Sequence, residues 1–139
     1  MGCEYIKNAE FLFKEKGFMS GFELLFVHGV ELLLKSFILL NDTRETRVIL
    51  DDFKFNYKHD QLALLKYAKE LDSQKMLSER ISNLIEFHAD NFYKDTIDAR
   101  YTQAYRERSF DQDAFSVVNE DFINPILNAY SAWLLQSGI

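Results

Sequence analysis

The chain of 139 residues is 47% apolar and 15% aromatic, a size and composition that fit one domain with a substantial core and exclude a disordered chain. Its formal charge of −6 and its pI near 5.0 argue against general nucleic-acid binding, although an acidic protein can carry a local basic patch. The lone cysteine, Cys3, excludes an internal disulfide framework and a cysteine metal cluster.

The first predicted element is a helix from about Cys3 to Lys16, which ends at Gly17. Its apolar stripe consists of Tyr5, Ala9, Leu12 and Phe13. The chain has five glycines, one proline and no strand-turn-strand rhythm. The sequence as a whole therefore predicts an all-α protein.

The longest apolar stretch runs from Phe18 to Asn41 and predicts a second helix around which the other segments pack. Gly21, Gly29 and Ser36 lie close together on one side of this helix, which predicts the close approach of a neighbouring helix there. The apolar run is interrupted by Glu23, His28, Glu31 and Lys35. No segment offers the roughly 18 uncharged residues that a membrane span needs. We expect no membrane insertion and, because no charged-then-apolar leader opens the chain, a cytoplasmic protein.

Residues 44–58 show no helical period. Within them Phe53, Phe55 and Tyr57 alternate with polar residues, which predicts an extended segment with one face on the rest of the protein. Such a loop is long for a compact domain, so it is also a candidate functional segment.

A short third helix is predicted from about Asp60 to Leu71, with Leu62, Leu65 and Tyr67 facing inward. Asp72 and Ser73 are the expected cap of the next helix. That fourth helix is predicted from about Gln74 to Tyr101. Its core-facing stripe consists of Leu77, Ile81, Leu84, Ile85, His88, Phe92 and Thr96.

The last helix is predicted from Phe115 to about Gln136. Pro125 lies inside its apolar pattern, which predicts either a kink or a restart capped by Asn124. Together the elements predict a single domain over residues 1–139, an antiparallel up-down helical bundle of four main helices plus one short helix.

Metal and cofactor sites are not expected. A di-iron or di-manganese bundle needs carboxylates on two helices and paired Glu-x-x-His motifs on the others, and the sequence lacks these pairs. It also lacks a glycine-rich phosphate loop, a nucleophile elbow and a His-Glu-x-x-His helix.

His28, Glu31 and Lys35 lie at successive turns of the most apolar helix, where polar side chains need partners once they are buried. One interpretation is a Glu31 to Lys35 ion pair with His28 hydrogen-bonded in a packed interface. The other is a polar floor for a ligand or for the phosphate of a substrate.

Aromatic and basic residues also gather at the ends of segments, in the turn at residues 57–60 and around Arg100 and Tyr101. Aromatic side chains beside arginine suit a nucleotide or single-stranded RNA. The alternative is a solvated charge cluster, with Asp60 favouring the dipole of the third helix and His59 tying the loop to the bundle.

Three stretches in this order are together similar to motifs of one family. His28 to Ser36 reads His-Gly-Val-Glu-Leu-Leu-Leu-Lys-Ser, Lys58 to Leu62 reads Lys-His-Asp-Gln-Leu, and Tyr93 is followed by Asp98-Ala99-Arg100-Tyr101. They resemble the His-Ala-Leu-Glu-Leu-Leu-Leu-Lys-Ala, Gly-His-Asp-Leu and Ala-Arg-Tyr stretches of the HEPN superfamily, the helical domains named for higher eukaryotes and prokaryotes nucleotide-binding. Lys58 stands where the family has glycine, and Gln61 is inserted before Leu62.

The resemblance implies a helical bundle that forms a homodimer, often in toxin-antitoxin, phage-defence or RNA-processing systems. Catalytic members are metal-independent ribonucleases with an arginine and a histidine at the dimer cleft. Those two residues are separated by fewer residues than the seven between Arg80 and His88. We therefore do not expect ribonuclease activity.

The first hypothesis for function is a HEPN-like homodimer that binds a nucleotide, RNA or a protein without catalysis, with a nucleotidyltransferase-type or defence-system protein as a possible partner. The candidate ligand-binding residues are His28, Glu31, Lys35, His59, Asp60, Arg100 and Tyr101. The alternatives are a divergent metal-independent ribonuclease that uses Arg80 and His88, and a helical adaptor without a ligand.

Overall fold

The computed structural model describes residues 2–16, 22–87 and 113–136. Every regular element in these ranges is helical and they contain no strand, so the all-α prediction is confirmed. None of the helices in the same ranges combines the length and the apolar character needed to cross a membrane.

The described ranges contain seven α-helices. The first four are α1 (Gly2–Lys16), α2 (Phe22–Asn41), α3 (Thr46–Asp52) and α4 (Gln61–Leu71). Residues 79–87 form α5 up to the point where the described range stops. The last two are α6 (Asp113–Val118) and α7 (Asn124–Gln136). Two wide π-helical turns, Phe53–Tyr57 and Asn119–Ile123, continue α3 and α6 without a break.

The core forms around α2, which packs against α1, α4 and α7. Phe26 and Phe37 of α2 are among the largest fully buried side chains. Phe115 of α6 contacts both α1 and α2, because its ring lies 5.8 Å from that of Phe13 and 5.5 Å from that of Phe26. Each such side chain contributes roughly 1.5–3 kcal/mol by leaving water. In the part of α2 whose side chains are described, Leu39 is the one large apolar residue that is exposed.

The closest approach of α1 to α2 depends on a missing side chain. A Cβ atom added to Gly29 would lie 2.8 Å from Cδ1 of Ile6 and 3.0 Å from Cβ of Tyr5. Glycine therefore lets two backbones meet at a distance that alanine would prevent. The contact at Gly29 is a close helix approach of the kind that the small residues of α2 predict. Gly21, another of these small residues, lies outside the described residues.

The prediction of a non-helical stretch at residues 44–58 with an extended segment at its end is wrong, because residues 46–57 are helical. Ile49 and Phe53 are buried and Tyr57 is half-buried, while Phe55 is 62% exposed. Ile49, Phe53 and Tyr57 are spaced four residues apart, which places them on one side of a helix. This spacing is the feature of the sequence that indicates the helix. The alternation of Phe53, Phe55 and Tyr57 led to the period-two interpretation.

The inward face of α4 and the start of α5 differ from prediction. Leu62 is exposed at 38%, and Leu64 is buried instead. The fourth predicted helix begins at residue 79 and not near Gln74. The Oγ atom of Ser78 accepts a hydrogen bond from the backbone N–H of Ile81 at 3.1 Å, so Ser78 caps α5. Asp72 instead accepts the N–H groups of Met76 and Leu77 at 2.8 Å and stabilises the preceding turn.

Pro125 is accommodated without a capped restart. Asn124 has helical backbone angles of −61° and −46° and follows the wide turn directly. A proline ring in a regular α-helix clashes with the carbonyl group four residues earlier. The π-helical turn at residues 119–123 lies directly before Asn124 and Pro125 and changes the backbone spacing there.

We predict that Gly29→Ala destabilises the protein by about 1–2 kcal/mol. Alanine favours a helix by about 1 kcal/mol over glycine, but overpacking costs about 1–3 kcal/mol. The overpacking term prevails here because Cβ of Tyr5 cannot move without moving α1. Urea denaturation measures the change. Adding Ile6→Val removes the nearest methyl group, so the double variant should lose less stability than the sum of the two single variants. A Gly29→Ala protein more stable than the parent would contradict the prediction.

Candidate functional site

A buried carboxylate on α2 organises the candidate site. Glu31 is 3% exposed. The Nζ atom of Lys35, one turn later on the same helix, lies 3.2 Å from Oε2 of Glu31. The Nδ1 atom of His59, which lies between α3 and α4, is 2.9 Å from Oε1. Each carboxylate oxygen thus has a partner, as a buried charge requires.

The contact with Glu31 fixes which nitrogen of His59 faces the protein. An ionised carboxylate can only accept hydrogen bonds, so Nδ1 of His59 carries the proton that it donates. The imidazole is otherwise at the surface, with a side chain that is 64% exposed. In the part of the chain that the structure describes, no hydrogen bond reaches Nε2. That nitrogen can therefore meet a ligand.

The turn that carries His59 has a strained backbone. The N–H of Asp60 donates to the carbonyl of Tyr57 at 2.9 Å and closes the turn. Lys58 has φ 51° and ψ −113°, close to the roughly +60° and −120° of the first central position of a type II′ turn. That position favours glycine, and a side chain there costs on the order of 1–3 kcal/mol.

The start of α4 is fixed by two side chains that follow His59. Oδ1 of Asp60 accepts the backbone N–H of Ala63 at 3.1 Å, so Asp60 is the N-cap of α4. Nε2 of the buried Gln61 donates to the carbonyl of Val27 on α2 at 2.7 Å. Gln61 is not among the candidate residues predicted from the sequence. The sequence feature that could have indicated Gln61 is a polar residue at the first position of α4, a helix that packs on the apolar helix α2.

A second polar cluster holds the chain between α2 and α4. The guanidinium of Arg44 binds Asp42 through Nη2 at 2.8 Å and Asp52 through Nη1 at 2.6 Å. The hydroxyl of Tyr67 on α4 donates to Oδ2 of Asp42 at 2.6 Å. Tyr67 also stacks on Tyr57, with ring centroids 5.8 Å apart. We call Asp42, Arg44, Asp52 and Tyr67 the clasp, because they join the two ends of α3 to α4.

The hydrogen bonds of the clasp shift the acidity of its members. Those from Arg44, helped by that from Tyr67, lower the pKa of Asp42 from 3.8 to about 2. The pKa of Asp52 is also lowered, first by Arg44 and then by Asn56. The bond to Asp42 raises the pKa of Tyr67. Both carboxylates are therefore stabilised as anions in the folded protein.

Arg80, one half of the alternative ribonuclease pair, is engaged in ion pairs. Its guanidinium lies 2.8 Å from Oδ1 of Asp121 and 3.0 Å from Oε2 of Glu120. The pairing with Arg80, together with a hydrogen bond from Ser78, lowers the pKa of Asp121. These contacts join α5 to the wide turn before α7. His88 lies outside the described residues, so the distance between the two candidates is not defined.

The remaining candidate residues are not brought to Glu31. His28 is exposed, with its ring edge against Tyr5 at a centroid distance of 4.7 Å. Within one chain, His28 is therefore exposed and not buried in a packed interface. Arg100 and Tyr101 lie outside the described residues. Of the seven candidates, the structure brings together Glu31, Lys35 and His59, with Asp60 beside them.

A narrow cavity is lined by Phe26, Val27, Val30, Gln61, Leu84 and Ile85. Its volume of about 10 Å³ leaves room for about one water molecule and is far below the roughly 300–1,000 Å³ typical of small-molecule sites. The described ranges also contain no group of three or more His, Cys, Asp or Glu residues that could hold a metal ion. Because the side chain of His59 is largely exposed, a ligand there would bind at the surface.

No family model matches the sequence, and no curated protein or solved structure matches the chain. What the site can bind therefore rests on its geometry and on the resemblance of its short motifs.

We predict that Asp42→Asn reduces the stability of the protein above pH 4 and removes part of its acid sensitivity. The folded-state pKa of Asp42, about 2, lies below its ordinary 3.8. Its ionisation thus stabilises the fold above pH 4, and this contribution disappears as the pH falls from about 4 to about 2. Because Arg44 is partly exposed, solvent screens the pair and we expect about 1 kcal/mol.

Thermal unfolding of both proteins between pH 2 and pH 7 tests this prediction. The difference between the two melting temperatures should shrink as the pH falls through that window. Tyr67→Phe removes only one of the hydrogen bonds and should show an intermediate difference. A constant difference at all pH values would contradict the assigned role of Asp42.

Proposed function

We propose that this protein is a HEPN-like helical bundle that binds the phosphate groups of a nucleotide or of single-stranded RNA without cleaving them. The observation that carries the proposal is the 2.9 Å contact between Glu31 and His59. These two residues belong to two of the three stretches that resemble the family, and they are 28 positions apart in the sequence.

The chemistry of the cluster supports an anionic ligand. Glu31 is already satisfied by Lys35 and His59. An ammonium group has three donors, so Lys35 keeps capacity beyond its bond to Glu31. Nε2 of His59 and the exposed side chain of Lys58 lie at the same end of α4. A phosphate accepts charge-assisted hydrogen bonds from the two ammonium groups, and from Nε2 when the imidazole of His59 carries both of its protons.

The backbone of Lys58 gives the second line of support. The family has glycine where this chain has lysine, and that lysine adopts the angles that glycine favours. The turn between α3 and α4 thus has the shape that a Gly-His-Asp sequence would adopt. At this position the chain has the side chain of Lys58 on a backbone conformation that glycine would also adopt.

Binding without cleavage is favoured by the environment of Arg80. Cleavage of RNA requires a cation at the scissile phosphate and a base beside the 2′-hydroxyl. The guanidinium of Arg80 already binds Asp121 and Glu120. It would have to give up these partners before it could contact a phosphate.

We also propose that the protein forms a homodimer. The apolar surface of α2 is largely covered within one chain, so a dimer would use other helices. Phe11 on α1 is 63% exposed, and Leu127 and Leu135 on α7 are 49% and 82% exposed. Both helices pack against α2. Burying these side chains against a second copy would remove exposed apolar surface from water.

Fluorescence anisotropy with a short labelled oligouridylate, in competition with ATP and with inorganic phosphate, tests the proposed binding. Lys35→Gln and His59→Gln keep a donor for Glu31 and should each weaken binding about tenfold or more, the effect of a lost charged hydrogen bond. Lys14→Gln, which changes an exposed lysine of α1, is the matched control and should bind like the parent. Competition by ATP but not by phosphate would identify a nucleotide.

Two results of the same experiment would contradict the proposal. A parent protein that binds none of the probes would favour an adaptor without a ligand. Metal-independent cleavage of the RNA that is lost in both Arg80→Ala and His88→Ala would favour the divergent ribonuclease.

We predict a mass twice that of the 16.4 kDa chain in light scattering at micromolar concentration. Leu127→Glu combined with Leu135→Glu should shift the protein to the monomer, because charges would be buried at the interface. Val48→Glu changes an exposed apolar residue of α3 and should leave the dimer intact. A parent protein of monomer mass would rule out this assembly.

A further inference from the structure

We propose that Lys58 is a phosphate-contacting residue, and that its strained turn presents its ammonium group to the ligand. The inference rests on the proposed function and gives a role to a residue of the turn at residues 57–60 that is not among the seven candidate ligand-binding residues. It starts from the backbone angles of Lys58, φ 51° and ψ −113°. Glycine favours these angles because it has no Cβ.

The strain persists because the residues on both sides of Lys58 are held in place. The backbone N–H of Lys58 donates to the carbonyl of Phe53 at 2.8 Å and completes the wide turn. His59 binds Glu31 and Asp60 caps α4. The position is therefore determined by its neighbours, whichever side chain it carries.

The folded structure gains no described contact from the lysine itself. Lys14, Lys35 and Lys69 each lie within ion-pair distance of a glutamate. Across the described residues, no carboxylate lies within that distance of Lys58. Lys75 also combines a positive φ with no described ion pair, so the position of Lys58 next to His59 is what points to a partner outside the chain.

The chemistry of that partner follows from the groups around it. Lys58 is exposed and adjoins His59, whose Nε2 is available. The two side chains can contact different oxygens of one phosphate, because an ammonium group acts as a point charge that needs no fixed direction. A nucleotide and the backbone of single-stranded RNA both supply this group.

Lys58→Gly tests the inference because it should change stability and binding in opposite directions. Relief of strain should raise the melting temperature by about 2–4 °C. Loss of the ammonium group should weaken binding of labelled oligouridylate or ATP about tenfold or more. For RNA, it should also reduce the slope of log K against the logarithm of the salt concentration by about 1, the contribution of one phosphate contact.

Two further variants separate the effect of the lost charge from the effect of the backbone strain. Lys58→Gln keeps the strain and loses the charge, so it should weaken binding with an unchanged melting temperature. Lys75 also has a positive φ, 53°, and Lys75→Gly should leave binding unchanged because Lys75 lies in the turn after α4, away from the motif.

The outcomes distinguish the inference from the proposed function. If the parent binds and both Lys58→Gly and Lys58→Gln bind equally well, Lys58 does not contact phosphate, and the proposed function stands. If the parent binds none of the probes, the proposed function itself fails. A melting temperature that does not rise in Lys58→Gly would refute the strain from which the inference starts.

Discussion

The carboxylate of Glu31 is the constraint on which the rest of the structure depends. A charged group that is 3% exposed on an apolar helix must find partners, because an unpaired buried charge costs several kcal/mol. Its own helix supplies only Lys35. The second partner, His59, comes from the junction of α3 and α4, so satisfying one charge on α2 determines where the following helices begin.

The clasp and the wide turn at residues 53–57 serve that same junction. The clasp holds the start of α3 and the face of α4, while the wide turn delivers Phe53 to the core and Tyr57 to the stack on Tyr67. The histidine, the N-cap and the strained lysine therefore lie on a segment fixed at both ends. Such rigidity makes a surface turn a better binding element than an ordinary loop.

The sequence predicted helices well where one apolar face repeats over many residues, as in α1, α2 and α4. It failed at residues 44–58 because Phe53 and Tyr57 fit both a period of two with Phe55 and a helical stripe with Ile49, and only packing decides between them. Glu31, Lys35, His59 and Asp60 were found through polar residues in apolar surroundings and through motif resemblance. His28 and Gln61 were misjudged because local periodicity does not show which neighbouring helix covers a given position.

The wide turn between α3 and α4 makes this part of the protein sensitive to chain length. A π-helical turn contains one residue more than the corresponding α-helical path. Deleting a single residue there would restore a regular helix and rotate everything that follows by about 100°. His59 would then leave Glu31, and Gln61 would leave Val27. Insertions and deletions should therefore be rarer at residues 53–60 than the surface position of the segment suggests, and sequences that carry this site should keep the spacing from Glu31 to His59.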